Sequence, residues 1–540
     1  MPFAPIFALA VPTIALVLLG ILGAVPRTRP GARFILPAAA TLSLLGVLAS
    51  RMEPGEAILL TRWSPEVLLG VSPILRADPL VWPLTVAVAA AVAGASLVQL
   101  SRRPRSPFAL EIAVLGVLAA VLGSLWGDNP LAVLLAWGGF DLMWMLGAVA
   151  AGGPSRRMAW GAGANLLATV LLWAAVLAMG ARGSLASWEL ISLEGPGRSL
   201  LLAAGLLRLG LYPLHLAVST EGAWGLPAAA PLLLGPVLGW GVLLRAEVVG
   251  GVGLLAGAPW LMGMGMASFV AGAFLAWAHP RPQEGIPWLG MAANGLFLWG
   301  GLVAGERGGA VLVLGATAWV LGVLLVVLGR GWQRSAWWWA VPPLIGGWAL
   351  LGGPLTPAAA ALSGVAASSA SGVEKGVVLF FGAALLTAAL VRRILRPFVE
   401  VEEEPLAIAA RAVGMGLPAL LLLVVGVVPF LFLPEGTALS GWGGFSGSAL
   451  AGWGIWLAAV VAGVALTRVE DRFRSRLLPA LRPFVDLVDL HWAYDLVAGG
   501  LRRAVRFFRA TAELVEGAGA VFWALVLFLI LLALVIQRGG

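Results

Sequence analysis

The sequence predicts an all-α polytopic membrane protein with about 16 transmembrane helices. Of its 540 residues, 60% are hydrophobic and 11% are charged, against roughly 25% charged in an ordinary soluble domain. The apolar residues form runs of about 20, which is the length that a helix needs to cross the hydrocarbon core. These runs show no alternation of period two, which argues against a transmembrane β-barrel.

Clusters of Gly, Pro and Arg separate the apolar runs and delimit the predicted spans. The spans are 4–25, 33–49, 79–100, 108–126, 130–151, 158–179, 200–218, 226–249, 260–277, 287–303, 310–328, 336–370, 377–395, 412–433, 449–466 and 521–536. The seventh contains Tyr212-Pro213, and the twelfth contains Gly352-Gly353-Pro354. In lipid, a lost backbone hydrogen bond is tolerated only where protein or a wet cavity satisfies the freed carbonyl. The paired breaks therefore indicate inverted repeats around a polar pathway, although Gly and Pro are also simply common in membrane helices.

Segment 467–517 is too polar to cross a membrane, and we predict a lateral amphipathic helix there. Its apolar residues recur at three- and four-residue spacing between many arginines. We expect this helix to lie along the cytoplasmic face, with breaks at Pro479, Pro483 and Gly499-Gly500. The alternative is a loose basic loop, which rarely sustains such a periodicity.

The distribution of arginine predicts the orientation. Short arginine-rich loops stay in the cytoplasm, and arginines follow odd-numbered spans, as at Arg102, Arg156 and Arg392. Loops after even-numbered spans are balanced or acidic, as at Asp128 and Glu189. We therefore expect a multi-pass protein of the cell (inner) membrane with both termini facing outward.

The residue inventory argues against several redox centres and ligand classes. The chain contains no cysteine, which excludes disulfides, thiolate zinc sites and cysteine-ligated iron–sulfur clusters. His215, His279 and His491 are far apart in sequence, which makes a haem-bearing bundle improbable. We expect no cofactor and no metal in this chain. The net charge of +8 does not indicate nucleic-acid binding, because the arginines lie between apolar segments as orientation signals.

Few ionisable side chains fall inside the predicted spans, where each is costly and usually marks an ion path, a partner contact or a helix end. Asp141 lies in the middle of the fifth span, Arg208 in the first half of the broken seventh, and His215 just after that break. An aspartate and an arginine in neighbouring spans can neutralise each other. Two hypotheses stay open here: a static pair that holds helices together, and an ion-path acid with its modulating base.

The residues around these charges resemble a known family. The stretch RLGLYPLH at 208–215 is similar to the Lys-x4-Pro-x-His stretch of the antiporter-like subunits of respiratory complex I, Mrp-type cation/proton antiporters and membrane-bound hydrogenases. RADPL at 76–80, FDLM at 140–143 and LLTA at 385–388 resemble further motifs of that family in the same order. Sixteen spans, two breaks and a lateral helix are most similar to the distal complex I subunit that carries such a helix.

The resemblance implies that protons move through a row of Glu and Lys residues at mid-membrane. Asp141 occupies the glutamate position and Arg208 the lysine position. A desolvated lysine can lose its proton near neutral pH, whereas a guanidinium, whose pKa is far higher than that of an ammonium group, stays charged. Arg208 can therefore act only as a fixed counter-ion that holds Asp141 ionised.

The later relay positions of the family fall mostly on residues that do not titrate. They are Pro231, Val237, Val313, Thr317, Leu321 and Ser363. Thr317 and Ser363 can still line a polar, water-containing pathway. Glu374 and Lys375, the only lysine of the chain, are either a shifted relay or a cap at the membrane interface. Glu221 is expected to replace, one position displaced, the acidic residue of the family's Leu-Pro-Asp-Ala segment and so to belong to the proton pathway.

The resemblance also implies an organisation and a function. The segments are 1–106 (spans 1–3), 107–250 (first antiporter-like repeat), 251–397 (second repeat), 398–467 (spans 14 and 15), 468–517 (lateral helix) and 518–540 (anchor span). The leading hypothesis is an antiporter-like membrane-arm subunit of a complex I-like, redox-driven proton-translocating complex, with a degenerate proton pathway. Its expected partners are other membrane subunits and lipid. The alternatives are a relay-dead structural subunit of such a complex and a self-standing cation/proton antiporter, which the missing central lysines disfavour.

Overall fold

The computed structural model describes most of the chain. The described residues are 3–25, 29–52, 57–59, 71–101, 106–152, 155–180, 187–191, 195–215, 227–249, 258–281, 284–329, 331, 334–370, 372–397, 404–434, 447–516 and 524–530. The chain divides into two compact units, Met1–Phe473 and Arg474–Gly540.

The described chain is built from α-helices. They are α1 (Phe3–Ala24), α2 (Arg29–Ala32), α3 (Ile35–Ala49), α4 (Trp82–Leu100), α5 (Phe108–Trp126), α6 (Pro130–Gly152), α7 (Arg156–Gly180), α8 (Pro196–Leu209), α9 (Gly235–Val249), α10 (Pro259–Ala278), α11 (Ile286–Val303), α12 (Gly308–Leu328), α13 (Val341–Leu350), α14 (Ala359–Ser369), α15 (Val373–Ile394), α16 (Pro405–Val427), α17 (Gly447–Asp489) and α18 (His491–Glu516). Short 3-10 segments include Pro227–Leu234 before α9 and Arg334–Ala340 before α13. Two strands, β1 (Ala57–Leu59) and β2 (Ile74–Arg76), pair antiparallel between α3 and α4.

Thirteen helical stretches within the described residues are long and apolar enough to cross a membrane. The predicted class, an all-α polytopic membrane protein, is therefore confirmed. The seventh and twelfth predicted spans fall outside this set because they are broken into shorter helices, and only 524–530 of the sixteenth are described. The total of sixteen spans and the orientation stay predictions.

The innermost helices of the first unit are α4, α9, α11 and α12, whose apolar stretches are buried on almost all sides. Small residues let these helices approach closely, as expected where lipid offers no hydrophobic driving force for association. Gly94 of α4 faces Gly414 of α16, and a Cβ atom on Gly94 would lie 2.5 Å from the Gly414 carbonyl oxygen. A side chain at Gly94 would therefore push the two backbones apart.

The break in the seventh span is confirmed, and neighbouring helices satisfy its backbone groups. Helix α8 ends at Gly210, which adopts the left-handed conformation (φ 65°, ψ 39°). Nδ2 of Asn294 donates to the Leu209 carbonyl oxygen at 3.0 Å. The Tyr212 backbone N–H donates to Oγ of Ser268 at 2.9 Å. Protein groups thus replace the hydrogen bonds that the interrupted helix loses.

The break in the twelfth span is confirmed as well. Gly352 and Leu355, between α13 and α14, both have positive φ angles, of 76° and 66°. Tryptophan indoles satisfy two carbonyl groups that the break leaves without a helical partner. Nε1 of Trp348 donates to the Pro354 oxygen at 2.9 Å, and Nε1 of Trp456 donates to the Leu351 oxygen at 3.0 Å. Trp348 and Trp456 therefore hold the broken helix in place.

The predicted amphipathic helix is present, but the predicted break positions are wrong. Helix α17 continues through Pro479 and Pro483 as far as Asp489, and α18 continues through Gly499-Gly500. The interruption lies at Leu490, which has a φ of 56°. A proline inside a helix can kink it without ending it, and a glycine costs a helix interior only about 1 kcal/mol. The side of the membrane on which this segment lies stays a prediction.

Candidate functional site

The centre of the candidate site is an ion pair between α6 and α8. Nη1 of Arg208 lies 2.6 Å from Oδ1 of Asp141. The Arg208 side chain is 0% exposed and that of Asp141 is 4% exposed. An isolated charge of either sign at such a place would be costly to bury. The sequence reasoning that these two residues neutralise each other therefore agrees with the geometry.

The end of α8 also favours a cation at this position. Arg208 lies in the last turn of α8, just before the left-handed Gly210. The carbonyl groups at a helix C-terminus carry a partial negative charge, which stabilises a nearby positive side chain. The break in the seventh span therefore creates an end inside the protein where a buried guanidinium is easier to accommodate.

Further contacts hold the Arg208 guanidinium in one arrangement. Oγ1 of Thr169, on α7, donates to Oδ2 of Asp141 at 2.6 Å and accepts from Nη2 of Arg208 at 3.4 Å. The guanidinium carbon lies 4.6 Å from the ring centroid of Trp137 and 5.2 Å from that of Phe140. Such cation–π contacts stabilise a desolvated cation. We call the ion pair of Asp141 and Arg208, together with the surrounding Thr169, Trp137 and Phe140, the caged pair.

Sequence reasoning missed three members of the caged pair. Thr169, Trp137 and Phe140 were assigned no role, although Trp137 and Phe140 stand four residues and one residue before Asp141. Position i−4 lies on the same helix face as i, so Trp137 could have been found from the spacing. Thr169 could have been noticed only as a hydroxyl within an apolar span.

His215 belongs to an aromatic cluster beyond the break. It is buried, its ring stacks on that of Tyr212 with centroids 5.7 Å apart, and it meets Trp288 edge-on at 5.0 Å. Nε1 of Trp288 donates to Nε2 of His279 at 3.2 Å. Trp288 thus lies between two histidines, of which sequence reasoning singled out only His215.

The other predicted site residues lie on α12, on α14 and at the start of α15. Thr317 is buried on α12 and donates to the Val313 carbonyl oxygen at 2.8 Å, and Ser363 on α14 donates to the Ala359 oxygen at 2.8 Å. Each hydroxyl therefore bonds to its own helix four residues earlier. Glu374 is exposed and Lys375 half-buried, in the first turn of α15. Glu221 lies outside the described residues. The part of these residues in a proton pathway stays a prediction.

A second group of charged residues lies where α5 ends and α6 begins. Nη2 of Arg76 lies 3.1 Å from Oδ2 of Asp128, and its Nη1 lies 3.3 Å from Oε1 of Glu189. Nη2 of Arg245 donates to the Leu125 carbonyl oxygen at 2.6 Å. Burial raises the pKa of the Asp128 carboxyl above its ordinary value, against the opposing effect of the positive Arg76 and Arg245.

Asn129 explains why α6 begins where it does. Its Oδ1 accepts the Ala132 backbone N–H at 2.9 Å, and its Nδ2 donates to the Ser72 carbonyl oxygen at 2.6 Å. Asparagine is a favoured N-cap, and Pro130 stands at the first helical position, where its missing N–H costs nothing. The cap fixes the start of the helix that carries Asp141.

Arg392 is more than an orientation signal. Its Nη1 lies 3.1 Å from Oε1 of Glu470 on α17, and Glu470 is almost fully buried. The same guanidinium donates to the carbonyl oxygens of Ala276, Trp277 and His279 at the end of α10, at 3.2, 2.9 and 2.8 Å. Arg392 therefore joins α10, α15 and α17.

Comparison with solved structures finds the same fold in membrane complexes. The chain superposes on a chain of the Mrp complex from Dietzia sp. DQ12-45-1b with a TM-score of 0.75 at 19% identity, covering 99% of this chain and 63% of that one. It superposes on a chain of the membrane-bound sulfane sulfur reductase, an archaeal respiratory membrane complex, with a TM-score of 0.69 at 18% identity, covering 98% and 99%. For respiratory complex I from Thermus thermophilus with bound NADH, the TM-score is 0.62 at 19% identity, covering 86% and 99%.

These likenesses confirm the all-α, multi-pass membrane fold that the sequence predicts, and chains of these three membrane complexes share it. The sequence matches no protein-family model and no curated protein. The chain spans about 63% of the length of the Mrp chain it matches.

Proposed function

We propose that the chain is an antiporter-like membrane-arm subunit of a complex I-like, redox-driven proton-translocating complex, with other membrane subunits and lipid as its partners. The observation that carries the proposal is the caged pair, because Asp141 and Arg208 stand where the resembled family has its Glu and Lys. The shared fold with subunits of three membrane complexes supports it. We further propose that both termini face outward and that the lateral helix is cytoplasmic.

Within this proposal, Asp141 is the acid that exchanges a proton and Arg208 is a fixed positive charge. A guanidinium stays protonated under physiological conditions. The two oxygens of Asp141 are used differently: Oδ1 faces Arg208, and Oδ2 accepts from Thr169. A proton that reaches Oδ2 leaves the contact between Oδ1 and the guanidinium in place. The pathway is degenerate because Pro231, Val237 and other apolar residues occupy later relay positions.

The second candidate is a relay-dead structural subunit of such a complex. It is favoured by the same caged pair, because a guanidinium held by a carboxylate, a hydroxyl and two aromatic rings has little freedom to move. In this case the pair stabilises the contact between α6, α7 and α8 and carries no proton.

The substitution Asp141→Asn separates the two candidates. The chain is purified in mild detergent with the proteins that accompany it, and the assembly is reconstituted into vesicles. We expect this variant to assemble, as judged on a native gel, and to lose proton transfer. Normal proton transfer by an intact assembly would exclude Asp141 from the path and leave the structural role. Co-purification of no other membrane protein would contradict the proposed membership of a complex.

A further inference from the structure

Arg393, in the last turn of α15, is a buried cation without a counter-ion among the described residues. The residue is 6% exposed, and no described carboxylate lies close enough to act on its charge. The charged group that does act on it is the guanidinium of Arg396, which has the same sign. A buried charge without an opposite charge is costly, so another group has to compensate it.

The end of α12 compensates the charge of Arg393 only in part. Nη2 of Arg393 donates to the carbonyl oxygens of Val327 at 3.4 Å and of Gly329 at 3.1 Å. Carbonyl groups at a helix C-terminus carry a partial negative charge, and a basic side chain often caps them. This cap occupies one of the three guanidinium nitrogen atoms. Nε is buried without a hydrogen-bond partner, and Nη1 makes no hydrogen bond to a described residue.

Arg393 lies where several helices end together. Helix α12 ends at Leu328 and α15 at Ile394. Helix α13 begins beside them, because a Cβ atom on Gly329 would lie 3.0 Å from Cβ of Pro343. Both α12 and α15 are long and apolar enough to cross a membrane, so their ends reach the level of the lipid headgroups. The Arg393 guanidinium is therefore at the depth of the lipid phosphates.

The chain backbone brings Arg396 to the same place. Gly331 follows the end of α12 and has a φ of 119°, which only glycine adopts easily. A Cβ atom on Gly331 would also clash with the Arg396 carbonyl oxygen. The Arg396 side chain itself is exposed. Two guanidinium groups, one buried and one exposed, therefore stand together at this end of α15.

Exposed tryptophans and aliphatic side chains mark the same end of the helix bundle. Trp337 and Trp338, in the segment that leads into α13, are 57% and 51% exposed. Leu344 in the first turn of α13 and Leu395 just after α15 are exposed as well. Tryptophan is enriched where a membrane meets water, at the level of the headgroups. A phospholipid finds here both a charged partner for its phosphate and an apolar surface for its acyl chains.

We propose that Arg393 and Arg396 form a binding site for the phosphate group of an anionic phospholipid, whose acyl chains pack along the exposed side of α13. The phosphate oxygens accept hydrogen bonds from Nη1 of Arg393 and from the Arg396 guanidinium. Planar guanidinium groups match phosphate in geometry and charge, and basic pockets between membrane helices bind anionic headgroups. The lipid thus supplies the counter-ion of Arg393. This inference does not depend on whether Asp141 titrates.

The test is a lipid titration of the chain, purified in mild detergent with the proteins that accompany it and washed free of native lipid. Native mass spectrometry counts bound phosphatidylglycerol, which is anionic, against bound phosphatidylcholine, which is not, and we expect a preference for the former. Arg396→Gln should weaken phosphatidylglycerol binding about fivefold, as for one arginine near the membrane surface. Arg393→Gln should weaken it at least about tenfold, as for a lost charge-assisted hydrogen bond. Arg281→Gln, at an exposed arginine after the end of α10, serves as the control and should leave binding unchanged.

Three results would overturn the lipid site. Equal binding of the two lipids would mean that no anionic headgroup is recognised, as when an acidic side chain of a neighbouring subunit covers the arginines. Inorganic phosphate that raises the Tm as much as phosphatidylglycerol does would indicate a site for the free ion. Phosphatidylglycerol binding that appears only after Glu400, Glu402 and Glu403, which lie outside the described residues, are replaced by glutamine would assign the arginines to the chain's own carboxylates. Because Arg396 is exposed, Arg396→Gln decides the question even if Arg393→Gln fails to assemble.

Discussion

A double-mutant cycle on the caged pair tests the central electrostatic argument. Arg208→Met leaves a carboxylate that is 4% exposed without its counter-ion, and Asp141→Leu leaves an unexposed guanidinium without its own. Removal of one partner of a buried pair costs about 3–5 kcal/mol, because the remaining charge has lost its compensation. If the two sites were independent, the double variant would lose the sum, about 6–10 kcal/mol.

We expect instead that the double variant stays within about 2 kcal/mol of the wild type, because replacement of both charges by apolar groups is often neutral or stabilising. After Arg208→Met, the introduced thioether still packs against Trp137 and Phe140, since sulfur makes favourable contacts with aromatic rings. The assay is thermal unfolding of the purified chain in detergent, followed by tryptophan fluorescence.

The matched control is the pair Arg281 and Glu284, which is formed at 2.7 Å with Arg281 largely exposed. The same cycle there should change stability by about 1 kcal/mol or less. Additive losses at Asp141 and Arg208, or single variants as stable as the wild type, would refute the view that the two charges depend on each other.

Three further predictions concern the same architecture. Arg208→Lys keeps the charge but allows deprotonation, so we expect assembly to persist and proton transfer in vesicles to increase; unchanged transfer would argue that the guanidinium does not limit it. Glu470→Gln leaves Arg392, whose side chain is 16% exposed, without its carboxylate and should destabilise the chain by about 3 kcal/mol, seen as a lower Tm. Trp456→Phe removes the donor to the Leu351 carbonyl oxygen and should cost about 1–3 kcal/mol, measured by the same unfolding assay.

Exposed counterparts provide the controls for these variants. Arg509 is 78% exposed and paired with Glu513 at 2.8 Å, so Glu513→Gln should change stability by at most about 0.5 kcal/mol. Trp337 is 57% exposed, and Trp337→Phe should leave the Tm nearly unchanged. If Glu470→Gln and Trp456→Phe behave like these controls, the buried contacts are not the ones that hold α17 and the twelfth span.

Much of the fold was predictable because a bilayer imposes simple rules on sequence. Runs of about 20 apolar residues must be helices there, since every backbone polar group has to be satisfied within the segment. The two breaks were predictable for the same reason, at Tyr212-Pro213 and at Gly352-Gly353-Pro354. The breaks in the amphipathic segment were not, because a proline can kink a helix without ending it and a glycine costs a helix interior only about 1 kcal/mol.

The candidate site was predictable only in part. Asp141 and Arg208 stood out because charge is rare inside apolar spans. Thr169 and Glu470 did not, because one hydroxyl or carboxylate becomes meaningful only through what it faces. The contact of Arg392 with Glu470 joins residues 78 positions apart, which no local pattern in the sequence indicates.

The amino-acid sequence by itself determined the class of protein, the breaks in the seventh and twelfth spans and the two charges that a membrane interior does not accept singly. All three follow from the free energy of transferring a residue into lipid, which depends on that residue and its near neighbours. Only the tertiary structure decided which oxygen of Asp141 meets Arg208, which rings enclose the guanidinium and which carbonyl oxygens accept from Arg393. These depend on packing between distant helices, whose energies are properties of pairs and not of residues.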